Sequence, residues 1–133
     1  MSYPGFETDT RNPMKHARNH GSAHAGVGHW WVQRVTAAAL IVLGLWFVIT
    51  VITFLGSDYA TARATLAQPW NATLMIAFVC TAFWHAQLGL TVVIEDYVHT
   101  RWHEVVLVVL IRFLAVLLAL AASLAVLRVA FGG

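Results

Sequence analysis

Between Arg63 and Glu95 the chain carries no charged residue, and near the middle of that stretch stands a single histidine, His85. Ionisable side chains at membrane depth are costly and rare, so each one raises a functional question. A neutral imidazole offers a nitrogen lone pair on one edge and an N–H on the other, which suits an axial ligand to haem iron. Gly89, one helical turn further on, leaves room for a flat macrocycle. The competing reading is a hydrogen bond from His85 to a neighbouring helix. No other histidine falls within an apolar run, so a haem with two histidine ligands requires the second from another subunit.

Asp96 and Tyr97 follow His85 by 11 and 12 positions. At about 100° and 1.5 Å per residue, Asp96 falls almost on the His85 face, about 16 Å along the helix. A phenol at the membrane boundary can donate a hydrogen bond to a quinone carbonyl, and a carboxylate beside it can orient a cation or pass protons. The alternative for Tyr97 is an interfacial-belt tyrosine next to a solvated helix end. Arg34 and Arg112 sit one to two turns inside the same boundary, where arginine snorkels to headgroups. Arg34 opens a span on the membrane side of Asp96, which also suits it to neutralise a haem propionate.

The remaining reactive residues point nowhere so definite. His16, His20, His24 and His29 are spaced as metal ligands could be, but Gly21, Gly26 and Gly28 are expected to break a helix that would align them. Cys80 lies within an apolar run with no second cysteine in the chain, and reads as a small buried hydrophobe. Phosphate-binding loops, nucleophile–base pairs and paired cysteines are absent.

The elements that must hold these residues follow from composition. Of 133 residues 59% are hydrophobic and 11% charged, against about 25% charged in soluble domains. This excludes a soluble domain and a disordered tail, and one cysteine excludes a disulfide scaffold. Spans of about 20 apolar residues allow about three crossings. The reading is an all-α membrane protein with transmembrane helices at about 30–55, 70–94 and 105–127. Residues 1–29 form a polar tail with no signal-peptide core. Gly56, Ser57 and Asp58 stop the first span, 56–68 is a short polar connector, and Pro69 can open the second helix without losing a hydrogen bond.

Arg11, Lys15, Arg18, Arg34 and Arg101 fall on one side of the membrane, Arg63 and Arg128 on the other. The N-terminus is therefore expected inside and the C-terminus outside, with Trp30, Trp31 and Trp102 at the inner interface and Trp70 at the outer one. A net charge of +2 and a pI near 9.1 are accounted for by this topology, with no nucleic-acid partner.

The run His85-Ala-Gln-Leu-Gly-Leu-Thr-Val-Val-Ile-Glu-Asp-Tyr-Val-His99 resembles the second span of the small hydrophobic anchor subunit of succinate dehydrogenase, respiratory complex II. The segment His29-Trp-Trp-Val-Gln-Arg-Val-Thr-Ala37 resembles that family's entry to span one, and the likeness runs from about residue 29 to the end. The tail matches no family feature. The resemblance implies that His85 is an axial ligand to haem b, shared with a cytochrome b-type large anchor subunit. It implies that Tyr97 hydrogen-bonds ubiquinone, that Asp96 organises that site, and that Arg34 lies near the haem propionates.

It further implies a non-dehydrogenase subunit that docks the flavoprotein and iron–sulfur subunits, with electrons passing from flavin through the clusters to ubiquinone. The alternatives are a fumarate reductase anchor working in reverse, and a non-redox assembly or transport protein. The expected location is a bacterial inner membrane. A mitochondrial one comes second, because Glu7, Asp9 and a Ser-poor tail do not resemble a transit peptide.

Overall fold

The structure, a computed structural model, describes residues 24–132 and is helical almost throughout. Helix α1 spans His24–Phe54, α2 Tyr59–Ala67, α3 Pro69–Tyr97 and α4 Arg101–Ala130. Three of these, α1, α3 and α4, are long and apolar enough to cross a membrane. In hydrocarbon every backbone N–H and C=O must be satisfied within its own segment, which is why uninterrupted apolar runs become helices. At 31, 29 and 30 residues and about 1.5 Å per residue, each is about 45 Å long. A bilayer's hydrocarbon is about 30 Å thick, so the helix ends extend into the headgroup layers.

Backbone proximity divides the chain after Trp30, and the remainder of α1 belongs with α2, α3 and α4. Helix α1 begins six residues before the expected span, at His24. Gly26 and Gly28 therefore lie inside a helix and do not break it: each costs about 1 kcal/mol relative to alanine, too little to stop a helix already propagating from a long apolar run. His16 and His20 lie outside the described residues.

The connector also departs from expectation, since most of it folds as α2. Asp58, in extended conformation, caps this helix by accepting from the Thr61 N–H at 3.3 Å. The sequence Tyr-Ala-Thr-Ala-Arg-Ala-Thr-Leu-Ala that follows is rich in alanine, the best helix former. Hydrogen bonds from the Thr61 side chain and backbone hold the Asp58 carboxyl below the usual carboxylate range. A carboxylate whose pKa is lower folded than unfolded supports the helix at neutral pH and loses that support as pH falls through its lowered value. Protection of the Thr61 and Ala62 amides, relative to intrinsic exchange at each pH, is thus expected to fall below about pH 4 in the parent. Asp58→Asn should keep the cap but remove the pH dependence, and a parent whose exchange protection ignored pH would contradict this account.

Pro69 occupies the first turn of α3, as its chemistry predicts. Helix α3 then runs on through Glu95 and Asp96 to Tyr97, and α4 opens at Arg101, leaving only residues 98–100 between them. Helices α3 and α4 pack closely as an antiparallel hairpin, and α2 lies against both near the C-terminal end of α4. Lipid tails are as apolar as leucine, so close packing rather than exclusion from water must hold such a pair together. Ala115, Ala119 and Ser123, one turn apart on α4, are small residues that line a cleft between the two helices, and Cys80 Sγ meets Ser123 Oγ at 3.6 Å. Ala72, Leu88, Thr91 and Ile94 of α3 are buried, with Val126 of α4.

Helix α1 runs antiparallel to α3 and meets it through side chains. Phe47 stacks on Phe78 with centroids 4.5 Å apart and 15° between planes, a favourable aromatic spacing. Most large apolar residues remain exposed, Ile41 at 74% and Leu120 at 63% among them. Contiguous apolar surface on this scale belongs against lipid or partner chains, not water.

Candidate functional site

Several threonine hydroxyls inside the spans give their proton to their own helix. Thr50 donates to the Trp46 carbonyl at 2.8 Å, Thr73 to Pro69 at 2.7 Å and Thr91 to Gln87 at 2.8 Å. This back-bonding satisfies the hydroxyl where no water is available. Thr36 on α1 behaves in the same way, lying 2.9 Å from the Val32 carbonyl and 3.0 Å from that of Gln33. It differs in having a further neighbour: Thr36 Oγ1 lies 2.9 Å from His85 Nδ1 on α3.

His85 is half-buried, and among the described residues Thr36 is its hydrogen-bond partner. The helix–helix hydrogen bond weighed as an alternative role for His85 is thus present, on one edge of the ring. It does not use the other. Nε2 has no partner among the described residues, and a Cβ added at Gly89, one turn along α3, would meet nothing within 4 Å. A nitrogen free to coordinate beside open space fits the donor set of a haem axial ligand. The described residues contain no cluster of three or more His, Cys, Asp or Glu able to hold a metal ion.

Asp96 and Tyr97 form the last turn of α3, in the same continuous helix as His85. The angular relation calculated from sequence spacing therefore applies to them. Asp96 stands nearly above His85, and Tyr97 about 120° around the helix. Both side chains are exposed, Tyr97 at 78%, and neither hydrogen-bonds another group among the described residues. The Tyr97 carbonyl accepts from His99 Nδ1 at 3.1 Å, and Val98 N–H closes the helix on the Ile94 carbonyl at 2.8 Å. The turn is thereby tied through its backbone while its side chains face outward. Arg34 lies on α1 two residues before Thr36, at the level of the membrane that His85 also occupies.

Two features differ from the sequence reading. Cys80 is exposed rather than buried, and borders a cleft of about 540 Å³ between α3 and α4. Arg112 lines the same cleft with Trp84, Gln87 and Ser123, on a face of α3 distinct from that of His85. Thr36 carries no signal in the sequence, because a threonine in a span is ordinary and only helix pairing brings it to the ring. The small residues at 115, 119 and 123 had a readable signal in their four-residue spacing.

Residues 8–119 match the family model described as succinate dehydrogenase/fumarate reductase transmembrane subunit. A Rickettsia bellii succinate dehydrogenase hydrophobic membrane anchor subunit is 33% identical over 118 residues, covering 89% of this chain and 94% of the relative. The succinate dehydrogenase membrane anchor subunit of Reclinomonas americana is 32% identical over 95 residues, covering 69% of this chain and 79% of that one. A further relative of the same description, from Paracoccus denitrificans, is 35% identical over 85 residues, with 64% and 66% covered. No solved structure matches the chain significantly. The matched segment takes in α1, α2, α3 and the greater part of α4, and so contains every residue of the site just described: the chain belongs to the succinate dehydrogenase/fumarate reductase transmembrane subunit family, among its hydrophobic membrane anchors.

Proposed function

We propose that this chain anchors a succinate:quinone oxidoreductase in a bacterial inner membrane, holding one axial position of a haem b and forming part of the ubiquinone-reduction site. The observation that carries the reading is the arrangement of α3: an intramembrane imidazole with Nδ1 engaged and Nε2 free, followed on the same helix by an outward-facing Asp96–Tyr97 pair. His85 Nε2 would hold the haem iron, with a further ligand from a cytochrome b-type partner subunit. Haem b, when bound, supplies a one-electron store beside the route to quinone.

Tyr97 presents its phenol O–H at the membrane surface, where it donates to a quinone carbonyl. Asp96, beside it, holds a proton or orients a cation during quinone reduction. Arg34, near the level of His85, offers a guanidinium for a haem propionate. Arg11, Lys15, Arg18 and Arg34 toward the N-terminus, with Arg101 after α3, support a cytoplasmic position for the Tyr97 end of α3. The flavoprotein and iron–sulfur subunits dock on that face. Succinate oxidation belongs to them, and this chain is not itself a dehydrogenase.

The test is purification of the complex from native membranes through an affinity tag on this chain. A flavoprotein, an iron–sulfur protein and a larger b-type anchor are expected to co-purify, together with a low-spin haem spectrum and succinate–ubiquinone activity. Purified chain with neither flavoprotein nor haem absorbance would favour a non-redox membrane component. A complex that reduces fumarate faster than quinone would favour the reverse-running enzyme.

A further inference from the structure

We infer that Thr36 is a positioning residue for the haem ligand: its hydroxyl accepts a hydrogen bond from His85 Nδ1–H, fixes the Nε2-coordinating tautomer and sets the ring's orientation. This rests on the proposed role of His85 as an axial ligand. One proton decides the direction of this hydrogen bond. A threonine hydroxyl has a single hydrogen and two acceptor lone pairs. The Val32 and Gln33 carbonyls, 2.9 and 3.0 Å from Thr36 Oγ1, can only accept, so they offer that hydrogen a place within α1. Thr50, Thr73 and Thr91 make the same disposition of theirs. With its hydrogen so engaged, Thr36 Oγ1 can meet His85 Nδ1 at 2.9 Å only as an acceptor.

Nδ1 then carries the hydrogen, Nε2 carries the lone pair, and the lone pair points where no described residue partners it. The result is a chain, His85 Nδ1–H to Thr36 Oγ1–H to a backbone carbonyl, in which each bond polarises the next. An acceptor on the far nitrogen raises the basicity of a ligating imidazole, and such outer partners typically change metal affinity 10–100-fold. A more basic ligand favours ferric over ferrous iron, so the hydroxyl holds the haem potential down. Thr36 acts from α1 on a ligand of α3, and therefore also couples the spacing of the two helices to the tilt of the ring.

The test uses the assembled complex carrying Thr36→Val, which keeps the shape and removes the acceptor, and Thr36→Ser, which retains it. Thr36→Val should shift the ferrous/ferric equilibrium toward ferrous about tenfold, about 59 mV for a one-electron couple, and should change the low-spin EPR g-values. Thr36→Ser should restore both toward the parent. His85→Ala, measured alongside, separates the two levels of the argument. Loss of the low-spin signal in His85→Ala with an unchanged potential and EPR spectrum in Thr36→Val would overturn the role of Thr36 alone. An unchanged haem spectrum in His85→Ala would overturn the ligand assignment on which it rests. Equal shifts in the Val and Ser variants would show that packing, not the hydroxyl, tunes the site, and would also reject the inference.

Discussion

Replacing His85 with alanine is expected to abolish the low-spin haem b spectrum of the purified complex. The imidazole lies well inside α3 with one ring nitrogen engaged by Thr36 and the other open, and Gly89 leaves the adjoining space unfilled. Removing it leaves the iron with at most the partner's ligand, so the haem either becomes high-spin or is lost during purification. The effect should exceed that of any outer-shell substitution, which costs 10–100-fold in metal affinity. The reduced-minus-oxidised spectrum, with haem quantified per flavin, measures it directly. A parent-like spectrum in the variant would show that the ligand lies elsewhere.

The Tyr97→Phe complex should lose roughly 10–100-fold in succinate–ubiquinone turnover while keeping electron transfer to a soluble dye. Phenylalanine keeps the ring and deletes only the O–H, so the loss measures one donor at the quinone carbonyl. Preorganised donors at developing oxyanions are worth about 10²–10³ in turnover. Tyr97 is 78% exposed in the isolated chain, and water competing for the carbonyl brings the expected loss below that range, to about 1.4–2.7 kcal/mol. The dye assay separates this from damage to the flavoprotein or iron–sulfur subunits. Equal quinone turnover in parent and variant would return Tyr97 to the interfacial belt.

The sequence made α3 legible to a useful degree, and for a physical reason. A transmembrane helix has a fixed rise and rotation per residue, so once Pro69 and the charge-free run placed it, the relation of His85 to Asp96 followed without coordinates. The ends were harder to place. The expected second span ends at about 94, yet the helix continues through Glu95 and Asp96 to Tyr97, because headgroup and water tolerate charge on a helix whose backbone bonds remain favourable. Helix α2 was missed since an alanine-rich segment with polar interruptions has no apolar face to read, although Asp58 three residues before Thr61 is a cap signal. Thr36 could not be found at all from α1 alone: its meaning depends on which helix it faces, and one sequence contains no record of pairing.

The link at residues 98–100 also orders events in time. Bringing the ends of so short a loop together costs little chain entropy, so α3 and α4 can close as a hairpin soon after both have entered the bilayer. Helix α1 is joined to that hairpin through α2 and reaches α3 by side chains, among them the Phe47–Phe78 stack and the Thr36–His85 hydrogen bond. With less backbone contact to hold it, α1 is the element whose docking comes last and reverses most easily. The setting of the His85 ring therefore depends on α1 being docked, and is the feature of the site expected to be lost first when that helix moves away.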